Sequence, residues 1–70
     1  MMTTFIIYHD QSQGVLMRAL TAVSRRGLAF VYVKDPGGTL TLILDVNEKT
    51  TGQLLRDWRA TIGVTFVEIF

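Results

Sequence analysis

The alternation of apolar and polar positions divides the chain into six segments. Thr3 to Tyr8 (TTFIIY) are mostly β-branched or aromatic and too few for a helix, so they predict a strand. His9 to Gln13 (HDQSQ) is a polar turn. From Gly14 the period changes: Val15, Leu16, Ala19, Leu20 and Val23 recur at helical spacing and predict a helix with one apolar face. Ser12 or Gln13 is placed to cap its start. Arg25 and Arg26 fall in its last turn, where cations suit the helix dipole, and Gly27 suits the position just past the end. Leu28 to Val33 (LAFVYV) predicts a second strand. Asp35-Pro36-Gly37-Gly38 is a dense turn signal, since proline sets one turn dihedral and glycines accept positive φ.

Thr39 to Val46 predicts a third strand, in which Leu40, Leu42 and Leu44 alternate with Thr39, Thr41 and Ile43. It forms a hairpin with the second. Asn47 suits the cap of a second helix running to about Ala60, with Leu54, Leu55 and Trp58 as its apolar stripe and Ile62 beyond its end. Gly52 inside it costs roughly 1 kcal/mol against alanine and is expected to fray the first turn. Gly63 ends this segment. Val64 to Phe70 predicts a fourth strand, with Val64, Phe66 and Glu68 on one side. The order β-α-β-β-α-β is the ferredoxin-like split βαβ arrangement, an α+β fold. Two right-handed crossovers put both helices on one face of a four-stranded antiparallel sheet in the order 4-1-3-2. Residues 1–70 are expected to form one such domain.

Size changes this picture, because a chain of 70 residues buries only about 60% of its unfolded surface. Domains so small commonly rely on disulfides, a metal or another chain. The sequence has no cysteine and one histidine, which excludes disulfides, thiolate metal sites and histidine-rich ones, and leaves association. Only 19% of residues are charged against 49% hydrophobic, so some apolar surface should stay exposed, as at an interface. The second strand is apolar and free of proline, with Lys34 only at its end. Its edge is a liability that pairing across a two-fold would remove.

Net charge is +1, without the basic excess of a nucleic-acid binder, and the third strand has no aromatic residue on which a base could stack. No apolar stretch reaches the roughly 18 residues that span a bilayer, and MMTTFIIYHD lacks the features of a secretory signal, so a cytoplasmic protein is expected. A Ser-His-Asp reading would need His9, Asp10 and Ser12 or Ser24. Neighbours in one short turn rarely converge on a point, and His9 reads as a solvated turn residue. Asp45 and Glu48 flank a helix start, where negative charge is favourable, rather than forming an acid–base pair. Acylphosphatase-like chemistry would need an arginine in the loop after the first strand, and HDQSQ has none. What remains is that loop with Gly14, where a small residue at a helix start lets a ligand approach free N–H groups.

Gly14-Val15-Leu16-Met17-Arg18, followed by Val23-Ser24-Arg25-Arg26-Gly27, resembles the Gly-x-Leu-x-Arg … Ser-x-Arg-Gly segment of ACT domains. It is most similar to that of the small, regulatory subunits of acetolactate (acetohydroxyacid) synthase. The match covers residues 11 to 30, the element order extends it over the chain, and Val64-Thr65-Phe66-Val67 is similar to the family's fourth strand. The resemblance implies a non-catalytic module, without a cofactor of its own, that forms a homodimer through sheet edges and activates the catalytic subunit of acetolactate synthase. That larger subunit carries thiamine diphosphate, flavin and magnesium. The resemblance further implies that a branched-chain amino acid such as valine binds at Gln11, Ser12, Gln13, Gly14, Val15 and Leu16, with second-strand contacts from Leu28 and Ala29. Two positions depart from the family: Gln11 and Ala29 stand where it has asparagine. Alanine offers a ligand no hydrogen bond, so a degenerate effector site is expected. The alternative role is a free-standing amino-acid sensor, or an allosteric adaptor for a different enzyme. Arg18, Arg25 and Arg26, toward one side of the first helix, read as a solvated face with helix-end cations, the alternative being a contact with the catalytic subunit.

Overall fold

The structure, a computed structural model, describes residues 1–70. Its elements are β1 (Met2–His9), α1 (Val15–Ser24), β2 (Phe30–Lys34), β3 (Thr39–Asp45), α2 (Glu48–Arg59) and β4 (Val64–Ile69). The strands form one antiparallel sheet in the order β2-β3-β1-β4, and both helices cover one face, as the element order predicts. No helix is long and apolar enough to cross a membrane.

Strand alternation sets the two faces of the sheet. Phe5 and Ile7 of β1, Leu40, Leu42 and Leu44 of β3 and Val67 of β4 point toward the helices and are buried. There they meet Ala19, Ala22 and Val23 of α1 and Leu54 and Trp58 of α2. Trp58 is fully buried. Its indole N–H donates to the Ala19 carbonyl at 2.9 Å, and Phe5 meets its ring edge-on at 5.0 Å. One aromatic side chain thus ties both helices to the central strand, and its polar atom is satisfied.

Four local expectations need correction. Neither Ser12 nor Gln13 caps α1: Gly14 occupies the N-cap with φ +79° and no side chain bonds the first turn. Arg25 is the C-cap and Arg26 lies beyond it, since the helix ends at Ser24. β2 starts at Phe30 instead of Leu28, because Gly27, at φ +66°, turns the chain and the Leu28 N–H folds back to the Val23 carbonyl at 3.4 Å. Leu28 therefore packs against the core rather than joining the sheet. Gly52 frays nothing. Asn47 accepts the Thr50 N–H at 2.8 Å, Glu48 suits the dipole in the first turn, and α2 runs unbroken past Gly52.

β2 is the exposed edge. Phe30, Val31, Tyr32 and Val33 are all exposed, and the pairing with β3 skips Val31, so a bulge interrupts the strand there. β4, at the other edge, sends only Val67 fully into the core. Phe66 lies on the uncovered face and is 60% exposed.

Candidate functional site

The β1–α1 loop and the β2–β3 turn meet at one end of the sheet. The His9 N–H donates to the Gly38 carbonyl at 3.0 Å, which draws the turn against the end of β1. Between them opens a depression of about 480 Å³ lined by His9, Gln11, Ser12, Gly14, Val15, Leu16, Met17, Asp35, Gly37 and Gly38. Five of the eight expected site residues, Gln11, Ser12, Gly14, Val15 and Leu16, line it. Gln13 does not; its carbonyl accepts from Arg18 at 3.1 Å. Leu28 and Ala29 do not line it either, Leu28 because it packs on the core and Ala29 because it precedes β2 on the exposed surface.

His9 differs most from its expected solvated state. Its side chain is 3% exposed, with Nε2 3.0 Å from the Asp35 carboxylate and Nδ1 accepting the Gln11 N–H at 3.1 Å. With Nδ1 an acceptor, the proton sits on Nε2 and is donated to Asp35. Both nitrogens are occupied, so His9 has no free lone pair with which to act as a general base on Ser12. The ring fastens the loop to the turn. Gln11 takes φ +59° to reach it, an uncommon conformation for a residue with a side chain. Only this long-range contact could reveal the role of His9, since Asp35 lies 26 residues away.

Burial pushes the Asp35 carboxyl up, but hydrogen bonds from the Gly37 N–H, at 2.8 Å, and from His9 outweigh it and hold the group below its ordinary value. The Ser12 hydroxyl and N–H likewise hold Asp10 low. A carboxyl with a lowered folded value stabilises the fold above its ordinary titration near pH 4, and that contribution disappears as pH falls through the folded value. Thermal melts are therefore expected to show stability falling below about pH 4. Asp35→Asn should flatten part of that acid limb; an unchanged limb would show that the His9–Asp35 contact contributes nothing.

Of the three arginines, Arg25 is exposed with no side-chain partner, whereas Arg18 and Arg26 are tied to other groups. Arg18 donates to the carbonyls of Ile62, at 2.9 and 3.3 Å, and of Gln13. Arg26 pairs with Asp57 at 2.7 Å and donates to the Ala22 carbonyl. No group of three or more His, Asp or Glu side chains is placed to hold a metal ion.

No family model and no curated protein matches the chain by sequence. Solved structures do match its fold. The ACT domain of GTP pyrophosphokinase from Chlorobium tepidum is 18% identical with a TM-score of 0.78, over 99% of this chain and 96% of that one. Aspartokinase III from E. coli, in complex with lysine and aspartate, is 18% identical with a TM-score of 0.76, over 99% of this chain and 16% of that one. An acylphosphatase from Bacillus subtilis is 17% identical with a TM-score of 0.73, over 100% of this chain and 83% of that one. At such identities the likeness is one of architecture: the chain has the ferredoxin-like βαββαβ fold that these ACT domains share with acylphosphatase.

Proposed function

We propose that this chain is a non-catalytic regulatory module that pairs through its β2 edge and acts on the catalytic subunit of acetolactate synthase. The depression at the β1–α1 loop is its effector site. The observation that carries the reading is the position of that depression. It lies where Gly14 opens α1 without a capping side chain, and its walls offer apolar Leu16 and Met17 beside polar Gln11, Ser12 and Asp35. The Val15 N–H is held by the Ser12 carbonyl, but the Leu16 and Met17 N–H groups are free and suit a carboxylate, and anionic Asp35 suits an ammonium group. The acylphosphatase alternative finds no support here. No arginine lines the depression, and Arg18, the nearest in sequence, is spent on backbone carbonyls.

Ala29 and Leu28 lie outside the depression, so the segment before β2 adds no polar contact to it and binding of valine, leucine or isoleucine is expected to be weak. Mixing the chain with a purified acetolactate synthase catalytic subunit should raise acetolactate formation and give co-elution. The absence of both activation and co-elution would end this reading. Calorimetric titration with a panel of amino acids addresses the second reading, which the same depression favours. Tight binding without an effect on the synthase would make the chain a free-standing sensor or an adaptor for another enzyme.

A further inference from the structure

The sheet face that the helices leave bare carries a pattern of its own. Strand register places Lys34 beside Thr41, Thr41 beside Ile6, and Ile6 beside Glu68. These four residues form one straight row across all four strands, on the uncovered face, with a cation at one edge and an anion at the other. The next row is Tyr32, Ile43 and Thr4, continued by Phe70, whose backbone pairs with Thr4. On the other side of the charged row lie Thr39, Tyr8 and Phe66. Tyr32 and Phe66 are exposed, and Ile6, Ile43 and Tyr8 are half-buried with nothing above them. Lys34 has no acidic partner within the chain, whereas Glu68 accepts only the Tyr8 hydroxyl.

We infer that this face stacks on the same face of a second copy about a two-fold axis parallel to the strands, with Lys34 of each copy over Glu68 of the other. An axis between β3 and β1 lays β2 of one copy over β4 of the other while keeping every residue at its own height along the strands. Because Lys34 and Glu68 share one row at opposite edges, that single operation pairs both of them at once. It also sets Tyr32 against the second copy's Phe70, and Ile6 against its Thr41. Stacked sheets lie about 10 Å apart, a gap that a lysine and a glutamate side chain span together. Aligned packing of two twisted sheets is a standard arrangement. Four strands about 4.8 Å apart make a face roughly 19 Å wide. The interface is therefore at the small end of the specific range, and its two ion pairs should weigh visibly in its stability. This contact is separate from pairing at the β2 edge, which it neither needs nor blocks.

Sedimentation equilibrium on the full chain tests it through charge reversal. Lys34→Glu or Glu68→Lys should each lower the assembled mass at low salt to that of one copy or of an edge-paired dimer, and an equimolar mixture of the two should restore it. In that mixture every contact across the two-fold is again between opposite charges. Phe66→Asp should lower the mass in the same way, and circular dichroism spectra matching the wild type show that each variant is folded. A wild-type chain that never associates through this face overturns the inference. So does a mass indifferent to the single reversals, or a mixture no heavier than its components. Loss of binding to a catalytic subunit with self-association unchanged would assign the face to that partner instead. Edge pairing is read independently: the two-fold at the β2 edge does not intersect the one between β3 and β1, so both contacts together give an open-ended assembly that loss of the face contact cuts to edge-paired dimers, whereas the face contact alone gives a dimer that falls to one copy.

Discussion

Trp58→Ala should remove the cooperative fold, or lower its thermal midpoint by 15 °C or more, roughly 4–8 °C being lost per kcal/mol in a domain of this size. Trp58 is fully buried at the junction of α1, α2 and β1, and truncating such a side chain costs about 3–5 kcal/mol. At 0.05–0.15 kcal/mol per residue, the whole domain has only about 4–10 kcal/mol to lose. The loss combines a cavity beneath both helices, the edge-on contact with Phe5 at 5.0 Å and the hydrogen bond to the Ala19 carbonyl at 2.9 Å. Trp58→Phe retains the ring contact and gives up the hydrogen bond and part of the volume, so its cost should be about 1–2 kcal/mol. Urea denaturation followed by circular dichroism separates the two. A Trp58→Ala midpoint close to the wild type would mean that the helices are not held to the sheet through this residue.

Gly63→Ala should cost about 2–5 kcal/mol and disturb the depression at the β1–α1 loop as well. Gly63 lies at φ +98°, where an L side chain is strained. A Cβ there would come within 2.7 Å of the Ser12 hydroxyl, 2.8 Å of a Val15 methyl and 3.0 Å of the Asp10 carboxylate. Two of these are stiff neighbours: Val15 is buried in the first turn of α1, and Asp10 is held by its bond to Ser12 and by its own N–H on the Gly63 carbonyl at 2.9 Å. The β1–α1 loop would have to lift off the α2–β4 turn. Gly52→Ala is the internal comparison. It is helical, has open space where its Cβ would lie, and should stabilise the protein by about 0.4–1 kcal/mol. Denaturation midpoints of the two variants should move in opposite directions. A Gly63→Ala midpoint equal to that of the wild type would show that the loop yields freely.

These two positions also show where sequence reading stops. Trp58 was legible as part of an apolar stripe at helical spacing, and Leu40, Leu42 and Leu44 as one face of a strand, because period alone places such residues. Gly63 was legible as a terminator but not as the floor beneath Ser12 and Val15, a contact across some fifty residues. β4 is apolar at both phases of its alternation, so period could not choose its inner face. The choice was made by pairing with β1, which sets Val67 beside buried Ile7 and Phe66 beside Tyr8 on the open side. The glycine loop was legible as a candidate site, and half of the residues that line the depression were among those named. Asp35, Gly37 and Gly38 escaped notice because a turn signal says how the chain reverses, not what the turn then touches.

By itself, the amino-acid sequence determined the six elements, their order and hence the fold, since each element follows from local period, turn residues and chain connectivity. It also led to the expectation that a domain of this size with so few charges would keep apolar surface exposed. Only the tertiary structure showed which apolar side chains are exposed, among them Tyr32 and Phe66 on the uncovered sheet face. Register between strands far apart in sequence lines Lys34, Thr41, Ile6 and Glu68 into one row, and closure of the sheet brings His9 to Asp35. Both are consequences of long-range pairing, which places residues by position in the sheet and not by distance along the chain.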